Sequence, residues 1–336
     1  MLDKETLEKY DTTRMHQVYD KWPQIARDAY QSNLEPIEFK NIEHIVFSGM
    51  GGSGAIGDLF LSVLSKTSIH VTVVKGYVLP KTVDSKTLVV ATSVSGNTLE
   101  TITAVESAKE LGCKIICFSS GGKLEEFCQK NNIAHRNISI YHNPRASFLA
   151  YVYSILKTLN SIIPVSKSNI EESISQLEIL SEKISSNNLT DSNPSLTLAN
   201  WLDGIPLIYY PWGLQAAAIR FKNSIQENMK SHAITEDVIE ACHNEIVSWE
   251  TKSEVKPILI EGTDDYIKTK ERWLIVKEFF NEHKIDFREI YSVDGDILSK
   301  LVCLIYQLDY CSIYGAVLSE IDPSPVNSID FIKNHL

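Results

Sequence analysis

The stretch FSGMGGSGAIGD, residues 47–58, decides the fold: it follows a β-branched apolar run, IEHIVFSG, and opens a segment with helical spacing. A second stretch of the same kind, VVATSVSGNTLET at residues 89–101, again leads from an apolar run through small and hydroxylated residues into a helical pattern. Backbone N–H groups at a helix N-terminus carry a partial positive charge, and glycine lets an anion approach the main chain with no Cβ in the way. The hydroxyls of Ser53, Ser93, Ser95 and Thr98 add donors that carry no fixed charge. Together the two loops are expected to cradle one phosphate group, which points to a small phosphorylated metabolite.

Working outward, a helical region at residues 5–32 precedes apolar strand candidates at 42–49, 69–74, 87–92, 114–119 and 137–140. Amphipathic stretches at 53–65, 98–112 and 123–131 separate them. Short continuous apolar strands alternating with helices describe a parallel sheet covered on both faces. In such sheets ligands bind beyond the carboxyl ends of the strands, which is where both loops fall. A polar stretch, 166–194, carries one helix at 169–185 and then SSNNLTDSNP, the best linker in the chain. Beyond it the alternation resumes, with strands at 205–210, 256–261 and 286–292, helices at 214–229, 266–281 and 296–318, and a short helix after Pro325. The expected organisation is an α/β chain with a first domain at 1–160, a helical linker at 161–195 and a second domain at 196–336 that repeats the architecture without the phosphate loops.

Composition bounds the class. The chain has 336 residues, 43% hydrophobic and 22% charged, enough for one or two substantial cores. A net charge of -11 repels nucleic acid and anionic membranes at long range, so any anionic ligand must be captured by local donors. Cys113, Cys117, Cys128, Cys242, Cys303 and Cys311 form no CxxC pair and no zinc-finger spacing with histidine, as expected of thiols in a reducing compartment. The beginning MLDKETLEKYD lacks the apolar region of a signal peptide, and no uninterrupted apolar run approaches a membrane span. The expectation is a cytoplasmic protein with neither nucleic acid nor membrane as partner.

Gly49, Gly51 and Gly54 also satisfy G-x-G-x-x-G between a strand and a helix, the dinucleotide-binding fingerprint. That reading requires an acidic residue at the end of the next strand to hold the ribose hydroxyls. Here IHVTVV is followed by Lys75 and Gly76, which would suit only a phosphorylated ribose. The second loop, rich in hydroxyls, favours the single-phosphate reading, and no cofactor is expected.

With both loops in view, SVSGNTLET resembles the signature of sugar isomerase (SIS) domains, and GMGGSGAIGD beside it resembles the archaeal and bacterial bifunctional phosphoglucose/phosphomannose isomerases. NPRASF at 143–148, QENMKSHAITEDVIEACHNEIVSW at 226–249 and DPSPVNSIDFIKNHL at the end of the sequence extend the similarity over nearly the whole chain. The resemblance implies two SIS-type domains and a hexose 6-phosphate substrate, its phosphate bound by Gly51, Gly52, Ser53, Ser93, Ser95 and Thr98. It places Arg145 beside the C1–C2 edge of the sugar, Glu227 as the base that moves the proton, His243 as the ring-opening group and Lys333 as a second ring-opening or polar contact. It also implies a homodimer in which the neighbouring subunit contributes His243. The chain departs from the family pattern at Cys242, where a polar residue is expected, and at Ser248, which replaces a glycine; neither is a reacting group.

The residue types suit the chemistry independently. Aldose–ketose isomerisation opens a hemiacetal ring and moves a proton between C1 and C2 through a cis-enediol, and one carboxylate can perform both halves of that transfer. For this Glu227 needs partial burial. A guanidinium such as that of Arg145 stabilises a developing enediolate while keeping its own proton, and histidine titrates near neutral pH, as ring opening requires. Taken singly, each has a plainer role: Glu227 as a surface charge, His243 as a structural histidine, Arg145 as a carboxylate partner, Lys333 as a helix-end cation. Their co-occurrence with both loops favours the enzyme. The nine histidines show no HExxH or H-x-H pattern and no accompanying acidic cluster, so catalysis is expected without a metal. The competing function is a SIS-type sugar-phosphate sensor, which usually carries an N-terminal helix-turn-helix and a basic surface. A further alternative is an amino-sugar phosphate isomerase.

Overall fold

Strands His44–Ser48 (β1), His70–Val74 (β2), Thr87–Ser93 (β3), Lys114–Ser119 (β4) and Ala134–Asn137 (β5) form one sheet in a computed structural model that describes residues 2–335. The order is β2-β1-β3-β4-β5, all parallel. β1, HIVFS, and β3, TLVVATS, are buried along their whole length, as continuous apolar strands covered on both faces should be. Helices Gly52–Leu64, Leu99–Glu110 and Gly122–Asn131 connect the strands. The first closes on β1 and β2, where Phe47 stacks on Phe60 with ring centroids 5.1 Å apart. The chain leaves β1 toward β2 and returns on the other side as β3, with Ser48 opposite Ala91 in register. That reversal of order opens a crevice at the carboxyl ends of β1 and β3.

The last strand of this sheet was expected at 137–140 and instead spans Ala134–Asn137. Its sequence, AHRN, is polar and half-exposed because β5 is an edge strand with one neighbour, β4, so hydrophobicity does not mark it. The helical region at 5–32 is three helices, Lys4–Tyr10, Met15–Asp20 and Trp22–Gln31. Asp11 makes the first break: its carboxylate accepts the N–H groups of Met15 at 2.9 Å and His16 at 2.8 Å, capping the second helix. Pro23 opens the third.

A second sheet holds Ile205–Tyr210 (β6), Ile234–Asp237 (β7), Val255–Glu261 (β8) and Arg288–Tyr291 (β9) in the order β7-β6-β8-β9, again all parallel. The expected repetition of architecture is present, with the same reversal now between β6 and β8. β7 is an addition that the sequence did not suggest, since ITED is a polar, half-exposed edge strand. Tyr209, Trp249, Trp273 and Phe280 centre the core on one face.

The chain divides into two compact units. One is Lys21–Ser175 with Asp296–Leu298; the other combines Gln176–Gly295, the chain from Ser299 onward and the residues through Asp20. The start of the chain therefore groups with the second sheet, where the linear reading assigned it to the first domain. The residues read as a linker contain helix Lys167–Ile184, whose Ser173 hydroxyl lies 2.7 Å from the Tyr153 hydroxyl. Helix Ile297–Leu318 is long and apolar enough to cross a membrane, although Lys300 and Asp309 interrupt its apolar run. Of its most apolar window 89% is buried inside the protein, and its Asp309 is ion-paired with Arg220, so it serves as a core helix here.

Candidate active site

At the end of β1 the chain turns through Gly51, whose φ of +52° lies in the left-handed region where a Cβ is strained, and enters helix Gly52–Leu64. No side chain caps this helix or helix Leu99–Glu110, whose N-cap is Thr98, among the described residues. In the first of these turns Ser53 N–H donates to the Met50 carbonyl at 3.0 Å; the remaining first-turn N–H groups of the two helices have no intrahelical acceptor and face one end of the sheet. Hydroxyls tie the loops together. Ser53 Oγ accepts the N–H of Val94 at 3.4 Å, and Ser93 donates to Thr98 Oγ1 at 2.9 Å. Ser53 and Ser93 form a buried floor, while Gly51 and Ser95 are exposed at the rim.

The loop after β4 clamps the second of these turns from its far side. The Ser120 hydroxyl and N–H both donate to the Val94 carbonyl, at 2.7 and 3.1 Å, and Leu124 N–H donates to Gly96 at 2.9 Å. Asn97 Oδ1 accepts the N–H of Lys123 at 3.2 Å. The turn that carries Ser95 and Thr98 is thus held by hydrogen bonds within the protein.

Arg145 comes to the same place. A Cβ on Gly52 would stand 3.2 Å from the Pro144 carbonyl oxygen and 3.7 Å from the Arg145 nitrogen, so NPRASF lies against the start of the first helix. Asn143 Oδ1 accepts the N–H of Ala146 at 3.0 Å, and Trp22 Nε1 donates to the Ala146 carbonyl at 2.7 Å. These bonds fix the turn before helix Phe148–Thr158, and Arg145 within it is only 6% exposed. The structure therefore brings Gly51, Gly52, Ser53, Ser93, Ser95, Thr98 and the Arg145 segment together in one unit. Lys75, which a phosphorylated ribose would need, has its ammonium 2.6 Å from the Asp58 carboxylate. That ion pair leaves the dinucleotide reading without its cation.

Glu227, His243 and Lys333 lie on three elements of the other unit. The helix expected over 214–229 is α-helical only as Gln215–Ser224 and widens into a π-helical turn, Ile225–Met229, that contains the half-buried Glu227. Such turns recur at functional sites. Lys230, at a φ of +57°, ends the turn, and its ammonium donates to the Glu227 carbonyl at 2.6 Å and to the Pro323 carbonyl at 3.3 Å. His243 is exposed in the turn after the short helix Val238–Ala241. The stretch between Glu227 and His243 contains β7. Lys333 is exposed in the last turn of helix Asn327–Lys333.

Two structural features of this unit escaped the sequence. Glu245, in the HNE segment, is an anchor: its carboxylate accepts from the Tyr209 hydroxyl on β6, and Trp249 Nε1 donates to the same hydroxyl at 2.8 Å. Burial pushes the Glu245 carboxyl above its ordinary range despite these bonds. Arg220, one helix turn before Ser224, is buried against Asp309 at 2.6 Å. Among the described residues no group of three or more His, Cys, Asp or Glu side chains is arranged to hold a metal ion.

Comparison with known proteins agrees with this fold. Residues 38–161 match the SIS domain family, and residues 191–336 match the family described as bacterial phospho-glucose isomerase C-terminal SIS domain. The chain is 37% identical over 312 residues to a bifunctional phosphoglucose/phosphomannose isomerase of Caldicellulosiruptor bescii, covering 89% of this chain and 91% of that protein. It is 33% identical over 233 residues to a D-glucosamine-6-phosphate 4-epimerase of Sulfolobus acidocaldarius, covering 69% and 72%. A solved structure of a glucose-6-phosphate isomerase like protein from Thermus thermophilus shares the fold at a TM-score of 0.64 and 15% identity, covering 99% of both chains.

Proposed function

Since the chain belongs to the bifunctional phosphoglucose/phosphomannose isomerase family, with an SIS domain in each half, we propose that it is an isomerase that interconverts fructose 6-phosphate with glucose 6-phosphate and mannose 6-phosphate. The observation that carries this reading is the pair of glycine- and hydroxyl-rich turns at the carboxyl ends of β1 and β3, joined through Ser53 and Val94, with the buried Arg145 segment against the first. In this reading Gly51, Gly52, Ser53, Ser93, Ser95 and Thr98 bind the phosphate. Glu227 moves the proton between C1 and C2 of the opened sugar without a metal, and Arg145 stabilises the enediolate. His243 and Lys333 assist ring opening.

The exposure of His243 and Lys333 supports a second copy of the chain as the partner that completes the site with His243. Helix Asn327–Lys333 buries none of its residues and leaves Ile329, Phe331 and Ile332 facing outward, apolar surface that a subunit contact would cover. The same reading places the enzyme in the cytoplasm, among other enzymes of hexose phosphate metabolism. Glu227→Gln tests the central role: turnover should fall by about 10²-fold or more while calorimetry finds hexose phosphate bound nearly as before. Wild-type turnover in that variant would remove Glu227 as the base.

The relative named as an epimerase supports a second reading, in which the reaction is at C4 of glucosamine 6-phosphate. Incubation with that compound and separation of the products decides between them. Isomerase activity on fructose 6-phosphate with no epimerised amino sugar supports the first reading, and the reverse supports the second.

A further inference from the structure

Arg220, Ser224 and Asn228 follow one another at intervals of four along the helix and into the π-helical turn, and all three are buried. Opposite them on helix Ile297–Leu318 stand Asp309 and Ser312, three apart and fully buried. Arg220 donates through Nε and Nη2 to Asp309 Oδ2 at 3.1 and 2.6 Å. Ser224 donates to Asp309 Oδ1 at 2.7 Å, and the Tyr19 hydroxyl to Oδ2 at 3.1 Å. Asn228 Nδ2 donates to the Ser312 hydroxyl at 2.8 Å, which itself donates to the Asp309 carbonyl at 2.6 Å.

The stripe ends beside Glu227. In an uninterrupted α-helix residues 224, 227 and 228 would share a face, which would carry the Glu227 carboxylate toward that of Asp309. The wider turn keeps Ser224 and Asn228 on the long helix while Glu227 remains half-exposed. A π-helical turn is rare, so something must hold it, and the bonds from Ser224 at its N-cap and Asn228 within it tie it to the long helix. The cation below belongs to the same device. Burial opposes the charge on Arg220, but Asp309, with smaller contributions from Tyr19 and Glu227, more than offsets this and raises its pKa.

We propose that Ser224, Asn228 and Ser312, anchored on the Arg220–Asp309 pair, are positioning residues that hold the π-helical turn open and thereby set the placement of the Glu227 carboxylate for proton transfer. The inference rests on the reading of Glu227 as the base. It concerns residues that touch no substrate, so their removal acts on the chemical step and leaves phosphate capture alone.

Ser312→Ala, which deletes one oxygen and strips Asn228 of its acceptor, is the mildest test, with Asn228→Ala as a second variant and Ser312→Thr as the rescue. Steady-state kinetics on fructose 6-phosphate should show kcat lowered by about 10- to 100-fold in both alanine variants, since small misplacements of a reacting group cost that much. KM should stay within about twofold, and Ser312→Thr should recover most of kcat. An unchanged kcat, or a loss that only tracks a lower thermal midpoint and is not restored by threonine, overturns the proposal. Glu227→Gln is measured alongside. If it is inactive while both alanine variants behave as wild type, only this inference fails; if it is active, the base assignment fails and takes the inference with it.

Discussion

The two sheets share a strand order and a crevice at the point of reversal, yet the two crevices are chemically opposite. Beyond β1 and β3 lie Gly51, Gly52, Ser53, Ser95 and Thr98, with loop hydroxyls bonded to one another and helix N-termini uncapped by side chains. Beyond β6 and β8 the loop donors are taken by amide and carboxylate side chains. Gly213 N–H donates to Gln215 Oε1 at 2.8 Å, Gly262 N–H to Asp265 at 3.0 Å, and the Thr263 hydroxyl to Asp294 at 2.8 Å. Lys277 is held between Glu261 and Glu289 at 3.0 and 2.9 Å, and Lys300 pairs with Asp264. Topology supplies a crevice in both halves, and the loop chemistry decides which can take an anion. In the proposed reading, these carboxylates close the second to phosphate.

The largest effect should come from making the first crevice resemble the second. Ser95→Asp places a carboxylate at its exposed rim, and like-charge opposition of several kcal/mol should raise KM for fructose 6-phosphate by about 100-fold or more with the protein still folded. A KM near that of the wild type would mean that the phosphate lies elsewhere. A matched pair of glycine variants sharpens the contrast. Gly51 and Gly213 have φ of +52° and +98°, and a Cβ on either would meet nothing within 4 Å, so alanine imposes backbone strain alone. Each substitution should cost about 1–2 kcal/mol in thermal or denaturant unfolding, but only Gly51→Ala should also raise KM.

The smallest effect concerns Asp265, whose carboxyl burial pushes above its ordinary range, against the lowering influence of Gly262 N–H and Trp273 Nε1. The folded state therefore holds this proton more tightly than the unfolded chain, and stability is lost as pH rises from the unfolded value through the raised one. Both bonds go to a single oxygen, so Asp265→Asn can keep them while removing the charge. The variant should match the wild type in acid and exceed its thermal midpoint by about 1 °C at neutral pH, a few tenths of a kcal/mol after solvent screening, with KM unchanged. A rise in KM would implicate the second crevice in substrate binding.

The interior of each sheet was legible because β1, β3, β4, β6 and β8 are continuous apolar runs ending at turn residues. The edges were not. AHRN and ITED have one neighbouring strand each and half-exposed side chains, so no hydrophobic period distinguishes them from loop. The two glycine- and hydroxyl-rich loops stood out in the sequence as strand-to-helix turns because glycine and hydroxyl content marks them, and Arg145 was placed beside them only through resemblance. The π-helical turn left no trace in a segment with ordinary helical spacing. Its support depends on Asp309, far along the chain from Arg220, and only a lone charge inside each of the stretches QAAAIRF and CLIYQLDYCSIYG hinted that the two would be buried together.

The most direct test of the account is a coupled assay of the purified protein on fructose 6-phosphate that follows glucose 6-phosphate and mannose 6-phosphate separately, in the presence and absence of EDTA. The account predicts that both products form and that the chelator leaves the rates unchanged. Tight binding of fructose 6-phosphate with neither product formed would contradict it and identify a sugar-phosphate sensor.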